Sequence, residues 1–533
     1  MNEALILMGS VVMICILLNR VLEKIAVPSL LIFLALGMCF GENGLLKIHF
    51  NDYEFVNIIC STCLIFIMFY GGFGTNLKEA KSVLVPSVVL STLGVAGTAG
   101  LVALFVHFVL HLPWLESLLI GSVISSTDAA SVFNILRSRK LALKHHTDSL
   151  LELESGSNDP ISYMLTTVTL TFMAGQEISV PLILAKQLLL GIGCGVLMGV
   201  VAVWLLKRGV LATQQSRTVF LFAAMLLAYA LPCIVQGNGY LSVYLCGIWI
   251  GNSNLPQKRY LVHFFDVVTD VAQVMIFFLL GLLVTPVELP AVVLPALFIM
   301  LFLTLVARPV ASGLLLLPFR PSIGQIGVVS WAGLRGAASI VFAISAVLSQ
   351  VNTTYNLYNL VFCIVLFSIS IQGTLLPQVS KLLHMIDATA DVGKTFTDYQ
   401  EESDIHFVKI HLGEGHLWCG QSLKEIGLPR DLLVAMIVRS ENMIVPHGDT
   451  KLEQGDLLVL AARAFEDREH MTLSEITIER GHKWANHTLA TLPQADGQLV
   501  ILIKRGMETI IPTGSSWILP NDNLVVAHTQ EKG

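Results

Sequence analysis

The chain has 533 residues, of which 54% are hydrophobic and 13% charged, with a formal net charge of -6. Soluble proteins carry about a quarter charged residues, so most of this chain is expected to lie in lipid, and the mean hydropathy of +0.73 agrees. The mild net charge gives no reason to expect nucleic acid as a partner. The C-x-x-C pair Cys60 and Cys63 lies in an apolar run, where cysteines are expected to pack as small apolar side chains.

Apolar runs of the length needed to cross a bilayer recur from the start of the chain to about residue 380. The first has no basic residue before it and no small-residue cleavage site after it, so we expect a retained helix and not a signal peptide. Thirteen transmembrane helices are predicted, near residues 4–18, 27–40, 56–70, 85–110, 115–136, 149–173, 182–206, 219–235, 240–250, 264–284, 291–317, 326–348 and 357–376. The predicted fold class is an all-α polytopic membrane domain, followed by small cytosolic α+β domains.

Arginine and lysine residues concentrate in every second loop between these spans, from Arg20 and Lys24 in the first to Arg320 in the last. The intervening loops hold almost none, with Lys47 as the exception. By the positive-inside rule, the N-terminus is expected outside and the C-terminal region in the cytoplasm. The predicted location is a bacterial inner membrane, with the lipid bilayer as the main partner.

After Pro377 the composition becomes polar, and an internal repeat appears. Four residues recur at a constant offset of 66 positions: Arg439, Pro446, Gly448 and Asp456 return as Arg505, Pro512, Gly514 and Asp522. Short alternating strands flank each set, which is typical of a strand, a hairpin and a second strand. We predict four parts: a transmembrane domain at 1–380, a linker at 381–404, an α+β domain at 405–465 and its degenerate repeat at 472–533.

The fifth predicted span contains three hydroxyl residues followed by an acid, at positions 125–128. Such side chains compete with the helix for backbone hydrogen bonds and cap helix starts. A break near Thr127 would leave two half-helices, with Asp128 at the positive end of one. Broken helices of this kind bind ions at the membrane midplane of transporters. The alternative is a continuous helix with a packing face of serine and threonine.

The sixth span carries Glu154, Ser155, Asn158, Asp159 and Pro160. Ser155 and Asp159 share a helix face, and proline leaves a backbone carbonyl one turn earlier without its hydrogen bond. Carboxylate, hydroxyl and carbonyl oxygens suit an alkali cation and not a transition metal. Asp159 alone could instead be one half of a structural ion pair.

Two arginines, Arg308 and Arg335, fall near mid-membrane in the eleventh and twelfth spans. A buried charge of this kind is costly without a partner. Glu154 is the candidate partner of Arg335, and this pair is predicted to be a fixed structural contact. Arg308 also needs a carboxylate.

Asp159 can bind either a proton or a cation, because burial favours the neutral acid and a nearby cation favours the charged form. Competition for one carboxylate that alternates between the membrane faces is sufficient for exchange.

Three motifs resemble the NhaP-type branch of the cation/proton antiporters: Thr127-Asp128, the run from Glu154 to Asp159, and G-L-R-G-A at 333–337. The resemblance implies one extra helix plus two inverted repeats with crossed broken helices, and a homodimer. It implies cation ligation by Thr127, Ser155 and Asp159, supported by Asp128 and Asn158. An asparagine before the aspartate implies electroneutral exchange of one K⁺ or Na⁺ for one proton.

One position departs from that family. Many relatives have an acid before the two glycines that end the third span, where this chain has Tyr70. Any role of that carboxylate in ion entry or pH response cannot be carried over.

The segment 407–463 resembles the TrkA C-terminal domain, with 473–527 as a weaker copy. The resemblance implies dimerisation and an ability to bind a regulatory nucleotide or ion, and by association it favours potassium. No other cofactor is expected.

Competing functions remain open at this stage. A regulated potassium channel or passive cation pathway would need a carbonyl-rich filter such as Thr-Val-Gly-Tyr-Gly, which the sequence lacks. A symporter of an anionic or organic solute would need more basic groups than these two arginines. No Ser/His/Asp set at catalytic spacing favours an enzyme.

Overall fold

The computed structural model describes residues 9, 13, 29–41, 52–77, 80–139, 141–175, 179–208, 213–253, 255 and 258–387 of the N-terminal part. In the C-terminal part it describes residues 405–413, 418–426, 428, 432–439, 442–463, 471–478, 482, 484–491, 498–505, 508–510, 512–520 and 522–529. The chain divides into two compact units, Met1–Glu401 and Glu402–Gly533, which are described separately.

The described part of the first unit is mostly helical. In chain order its helices are α1 (Ser29–Phe40), α2 (Tyr53–Gly74), α3 (Leu84–Val109), α4 (Trp114–Val123), α5 (Ala129–Ser138), α6 (Thr147–Met173), α7 (Val180–Lys207), α8 (Gln214–Ile234), α9 (Gly239–Gly251), α10 (Lys258–Leu282), α11 (Leu289–Phe319), α12 (Ile323–Trp331), α13 (Ala337–Leu348) and α14 (Leu357–Leu382). Among the described helices, seven (α2, α3, α7, α8, α10, α11 and α14) are long and apolar enough to cross a membrane. Helices α1, α4, α9 and α13 are apolar but shorter.

Every predicted span from the second onward overlaps one described helix or a pair of half-helices. The first predicted span, 4–18, lies outside the described residues except for positions 9 and 13. The total of thirteen spans therefore stays a prediction.

Polar side chains begin several of these helices by accepting a hydrogen bond from a backbone amide of the first turn. The caps are Asp52 for α2, Thr213 for α8, Asn238 for α9, Ser322 for α12 and Asn356 for α14. Each cap satisfies an amide that has no partner within its own helix. The apolar runs themselves supply the rest of each helix.

Two predicted spans are interrupted near their middle. Helix α4 ends at Val123 and α5 begins at Ala129, while α12 ends at Trp331 and α13 begins at Ala337. The first gap contains the hydroxyl-rich run in which a break was predicted, and the second contains the G-L-R-G sequence. Each gap exposes backbone amides and carbonyls inside the helical unit.

Glycines allow helix pairs around these gaps to approach closely. A Cβ added at Gly72 of α2 would lie 3.0 Å from Ile248 N of α9, and one added at Gly247 of α9 would lie 2.5 Å from Phe69 O of α2. Helices α1 and α10 meet in the same way, since a Cβ at Gly37 would lie 2.8 Å from the Cα of Gly281. These contacts hold α2 against α9 and α1 against α10.

A two-stranded antiparallel sheet ties the end of α14 to the loop between α5 and α6. Strand β1 (Ala142–Leu143) pairs with β2 (Ile386–Asp387), and Lys144 N donates to Met385 O over 2.9 Å. The loop that leads into α6 is thereby held by the segment that leaves the last helix of the unit.

The described residues of the second unit form two four-stranded antiparallel sheets. The strands are β3 (Ile405–His411), β4 (Leu432–Arg439), β5 (Asn442–Ile444), β6 (Leu457–Arg463), β7 (Met471–Thr477), β8 (His487–Thr488), β9 (Gln498–Arg505), β10 (Glu508–Ile510), β11 (Trp517–Ile518) and β12 (Asn523–Thr529). The order is β3-β6-β4-β5 in one sheet and β7-β12-β9-β10 in the other, so each strand of the first has a counterpart at the same place in the second. Strands β8 and β11 form a separate pair.

The residues that recur along the sequence form the same buried contact in each sheet. Arg439 Nε donates to Asp456 Oδ1 over 2.8 Å, and Arg505 Nε donates to Asp522 Oδ1 over 2.9 Å. Both aspartates are buried. The repeated arginine and aspartate therefore hold the same structural position in both copies, where an arginine of one strand contacts the residue just before the neighbouring strand.

Candidate ion-binding site

Asp128 occupies the gap between α4 and α5 and caps the N-terminus of α5. Its Oδ1 accepts from Ser131 N over 3.2 Å, and its Oδ2 accepts from Ser131 Oγ over 2.5 Å. A carboxylate at this position stabilises the positive end of the half-helix. The structure thus places this acid where the hydroxyl-rich run predicted it.

The second gap hydrogen-bonds to the first. Asp128 N donates to Leu334 O over 2.8 Å, and Arg335 Nη1 donates to Ser126 O over 2.7 Å. Gly336 lies directly against Asp128, because an added Cβ would come within 2.5 Å of Asp128 Cβ. Only a residue without a side chain fits there, so the glycine lets the two gaps meet.

Helix α6 presents Ser155 and Asn158 to the first gap. Ser155 Oγ donates to Thr127 O over 2.7 Å. Thr127 N donates to Asn158 Oδ1 over 3.3 Å, and Asn158 Nδ2 donates to Thr127 Oγ1. All three residues are buried. These bonds position Thr127 against the helix that carries Asp159.

Asp159 is 5% exposed and accepts a hydrogen bond from Ser126 Oγ. The predicted site residues Thr127, Asp128, Ser155 and Asn158 all surround this carboxylate or hold the gap beside it. Ser126 is a contact that the sequence reasoning did not single out, although it lies within the hydroxyl-rich run. Which of Ser126 and Thr127 points toward Asp159 depends on the backbone conformation at the break, and the sequence does not give that conformation.

The predicted pairing of Glu154 with Arg335 is wrong. Glu154 Oε1 instead accepts from Arg308 Nη2, and these two side chains are 1% and 2% exposed. Arg308 reaches Glu154 past Gly333, where an added Cβ would lie 2.8 Å from Arg308 Nε. Arg335 is used to bridge the two gaps. Two arginines at similar depth cannot be distinguished without the packing of α11 and α12.

A cavity of about 140 Å³ opens beside Asp159. Hydroxyl groups of the first gap and of α6 line it, together with five acidic residues: Asp128, Glu152, Asp159, Asp266 and Asp270. No lysine or arginine is among the described residues that line it. The lining is therefore acidic, which favours cations over anions.

One wall of the cavity comes from α10 and was not predicted. Asp266, Thr269, Asp270 and Gln273 all line it, and their spacing of three, four and seven places them on one helix face. Asp266 Oδ1 accepts from Tyr70 Oη of α2 over 2.6 Å. The signal was present in the sequence as two acids one turn apart, but they lay near the predicted end of a span, where charge is common.

The groups that line this cavity are oxygen donors, and among the described residues that line it there is no histidine or cysteine. Carboxylate and hydroxyl oxygens are ligands for hard cations. The donor set suits an alkali cation that has lost part of its hydration shell.

Apolar helices that break in pairs around a buried carboxylate define a secondary transporter of cations. The comparisons with known proteins give the family. The chain belongs to the sodium/hydrogen exchanger family of cation/proton antiporters, whose transmembrane region matches residues 9–382. The TrkA-C domain matches twice, at residues 407–464 and 473–532. This family is one of transporters and not of enzymes.

Two curated relatives are similar over most of the chain. The K⁺/H⁺ antiporter NhaP2 of Shewanella sp. (strain ANA-3) is 32% identical over 454 residues, which is 84% of this chain and 78% of that protein. The K⁺/H⁺ antiporter NhaP of Alkalimonas amylolytica is 36% identical over 388 residues, or 72% of this chain and 67% of that protein.

Among solved structures, the sodium proton antiporter MjNhaP1 from Methanocaldococcus jannaschii at pH 8 matches with a TM-score of 0.63. The match covers 72% of this chain and 99% of that chain at 23% identity, so it establishes a shared fold.

Proposed function

We propose that this chain exchanges one monovalent cation, K⁺ or Na⁺, for one proton, and that Asp159 binds the two ions alternately. The observation that carries the proposal is a buried carboxylate which faces an acidic cavity and lies against two helix gaps. Its neighbours are polar groups that can donate to an anion or coordinate a cation, and no arginine is paired with it among the described residues.

Proton and cation compete because a buried carboxylate needs one of them. Without either, the charge would lie in a medium that solvates it poorly. Thr127, Ser155 and Asp159 are the proposed cation ligands, since all three line the cavity. Asp128 and Asn158 support them, because one caps α5 and the other holds Thr127.

One-for-one exchange is proposed from the charge at Asp159. The residue before Asp159 is Asn158, whose amide is neutral and already engaged with Thr127. Asp159 is then the carboxylate of this helix turn that can release a proton. One proton released balances one monovalent cation bound, so the cycle moves no net charge.

Potassium is the proposed principal cation. Both curated relatives described above are named K⁺/H⁺ antiporters, whereas the matched structure is that of a sodium proton antiporter. Two TrkA-C domains follow the transport unit. Regulation by a nucleotide or ion bound to these domains belongs to the proposal.

The remaining architecture is proposed on the same basis. It has thirteen spans with inverted repeats and crossed broken helices, an external N-terminus and a cytoplasmic C-terminal region in the bacterial inner membrane. The chain divides at 1–380, 381–404, 405–465 and 472–533, and it works as a homodimer. Support comes from the alternation of basic loops and from the two interrupted helices.

The central test replaces the carboxylate with an uncharged isostere. Asp159→Asn is expected to abolish cation-dependent proton movement in proteoliposomes that contain a pH dye, because an amide cannot exchange a proton for a cation. Glu54→Gln, which removes an exposed acid from the first turn of α2, is the matched control and should exchange normally. Coupled exchange in the Asp159→Asn variant would refute the assignment, and potential-driven flux without proton movement would favour a channel.

A further inference from the structure

The acidic side chains of the cavity differ in exposure. Asp159 is buried at 5% exposure, whereas Asp266 is half-buried and Asp270 is exposed. All three line the same cavity. The two aspartates of α10 are therefore more accessible than Asp159, and an ion that enters from their side of the cavity meets them before Asp159.

Asp266 and Asp270 are four residues apart on α10, so their charges lie on one face about one turn apart. Like charges at this spacing repel each other. A cation held between them reduces that repulsion, and both side chains line the cavity from which such a cation would come.

Thr269 gives independent evidence for a ligand. It is 5% exposed and lines the cavity between the two acids. Its Oγ1 has no hydrogen-bond partner among the residues that the structure describes. A buried hydroxyl without a partner is costly, and a coordinated cation would give its oxygen a partner.

Tyr70 orients one of the acids from the opposite wall. Its hydroxyl donates to Asp266 Oδ1 over 2.6 Å, across a separation of 196 residues in the chain. This bond fixes one carboxylate oxygen, and the planar carboxylate then restrains the direction of the other oxygen. A preset carboxylate loses less conformational entropy when it binds an ion.

From these contacts we infer that Asp266, Thr269 and Asp270 form an outer binding site. This site binds a partly dehydrated monovalent cation before the cation passes to Asp159. The inference rests on the proposed function, because the outer site has a purpose only if Asp159 is the inner one. Tyr70 is a positioning residue of the outer site. The carboxylate missing at position 70 of this chain is thus supplied by the neighbouring helix.

The test measures exchange by the full chain in proteoliposomes over a range of KCl, and separately NaCl, concentrations. We expect a rise of about three- to thirtyfold in the half-saturating cation concentration for each of Asp266→Asn, Asp270→Asn and Thr269→Val. A change of this size corresponds to the loss of one ligand. The maximal rate should stay within about twofold of the native rate, because Asp159 still performs the exchange.

Conservative variants separate ligation from packing. Thr269→Ser keeps the hydroxyl and should behave as the native chain does, while Thr269→Val keeps the volume and should not. Tyr70→Phe should raise the half-saturating concentration, and should add nothing further in a chain that already carries Asp266→Asn. Glu54→Gln is the charge-loss control and should shift nothing.

The inference is overturned if the two aspartate variants fold with native thermal stability and keep the native half-saturating concentration. It is equally overturned if they lower only the maximal rate. Failure of the proposed function would look different, because exchange would then survive Asp159→Asn. If Asp159→Asn abolishes exchange while Asp266→Asn keeps the native half-saturating concentration, the outer site is refuted and the proposed function stands.

Discussion

At the scale of single residues, Asp128 shows how the site is assembled. Its carboxylate caps α5 while its amide donates to Leu334 O in the other gap, so one residue holds both broken helices. Together, the cap of α5 and the backbone bond to Leu334 O require the second gap to come within contact distance of the Asp128 side chain. Gly336 meets that requirement because it has no side chain of its own.

Gly336→Ala should therefore reduce exchange strongly. The new methyl group would overlap the Asp128 carboxylate, and overpacking of this kind costs about 1–3 kcal/mol. We expect a fall of about tenfold in the exchange rate measured in proteoliposomes, the factor that corresponds to 1.4 kcal/mol. Gly193→Ala is the control, since an added Cβ there meets nothing within 4 Å. A native rate in Gly336→Ala would show that the gaps tolerate separation.

A buried ion pair holds the neighbourhood of the site together. Glu154 and Arg308 lie on α6 and α11, and both are almost fully buried. Removing one partner of such a pair leaves the other charge buried without compensation, at a cost of about 3–5 kcal/mol. The pair therefore constrains where α6 lies, and with it the position of Asp159.

Glu154→Gln should lower the thermal stability of the purified protein, measured by unfolding in detergent. Replacing both partners, as in Glu154→Leu with Arg308→Met, should cost less than Glu154→Gln, because no unpaired charge remains. Glu154→Leu combined with Arg335→Met should not recover stability. Recovery with Arg335→Met instead would favour the pairing that the sequence suggested.

At the scale of helices, a close backbone contact determines how α2, which lines the cavity, packs on α9. The two glycines after Tyr70 have different surroundings although they are adjacent. Gly72 faces the backbone of α9, whereas an added Cβ at Gly71 meets nothing within 4 Å. The packing of α2 on α9 thus depends on one glycine of the pair.

Alanine substitutions at these two positions should affect stability differently. Gly72→Ala forces α2 away from α9 and should lower the free energy of unfolding by about 1–3 kcal/mol. Gly71→Ala improves helix propensity and should be neutral or stabilising by up to about 1 kcal/mol. Thermal unfolding in detergent distinguishes them, and equal losses at both positions would contradict the packing argument.

At the scale of the whole molecule, a transport unit is followed by a unit built twice from one pattern. Both sheets of the second unit have the same strand order and the same buried Arg–Asp contact. The hydrogen bonds from Arg439 lower the pKa of the Asp456 carboxyl below its usual value. The folded module therefore binds a proton at Asp456 less readily than the unfolded chain does.

This pKa shift predicts a pH dependence. Because the folded pKa is the lower one, the stabilisation is present above about pH 4 and is lost as the pH falls through the folded pKa. Asp456→Asn should speed hydrogen–deuterium exchange in β4 and β6 at pH 7, and this difference from the native chain should shrink below about pH 4. Asp449→Asn, at an exposed pair with Lys424, should change little. A pH-independent difference would rule out this linkage.

Much of this protein follows from local sequence alone. Long apolar runs define most of the helices because the bilayer imposes their length and polarity. The hydroxyl-rich run before Asp128 indicated a break because those side chains compete for backbone hydrogen bonds over a few residues. The constant offset between Arg439 and Arg505 likewise indicated two copies of one module before any contact was known.

Contacts between distant segments needed the tertiary structure. Glu154 could pair with either of two arginines at similar depth, and the structure shows that the partner is Arg308, which packs against Gly333. The acidic wall on α10 became part of the cavity because Tyr70 and Asp266, far apart in the chain, lie on facing helices. Periodicity determines which face a residue occupies on its own helix, but which helices face each other depends on packing across the whole unit.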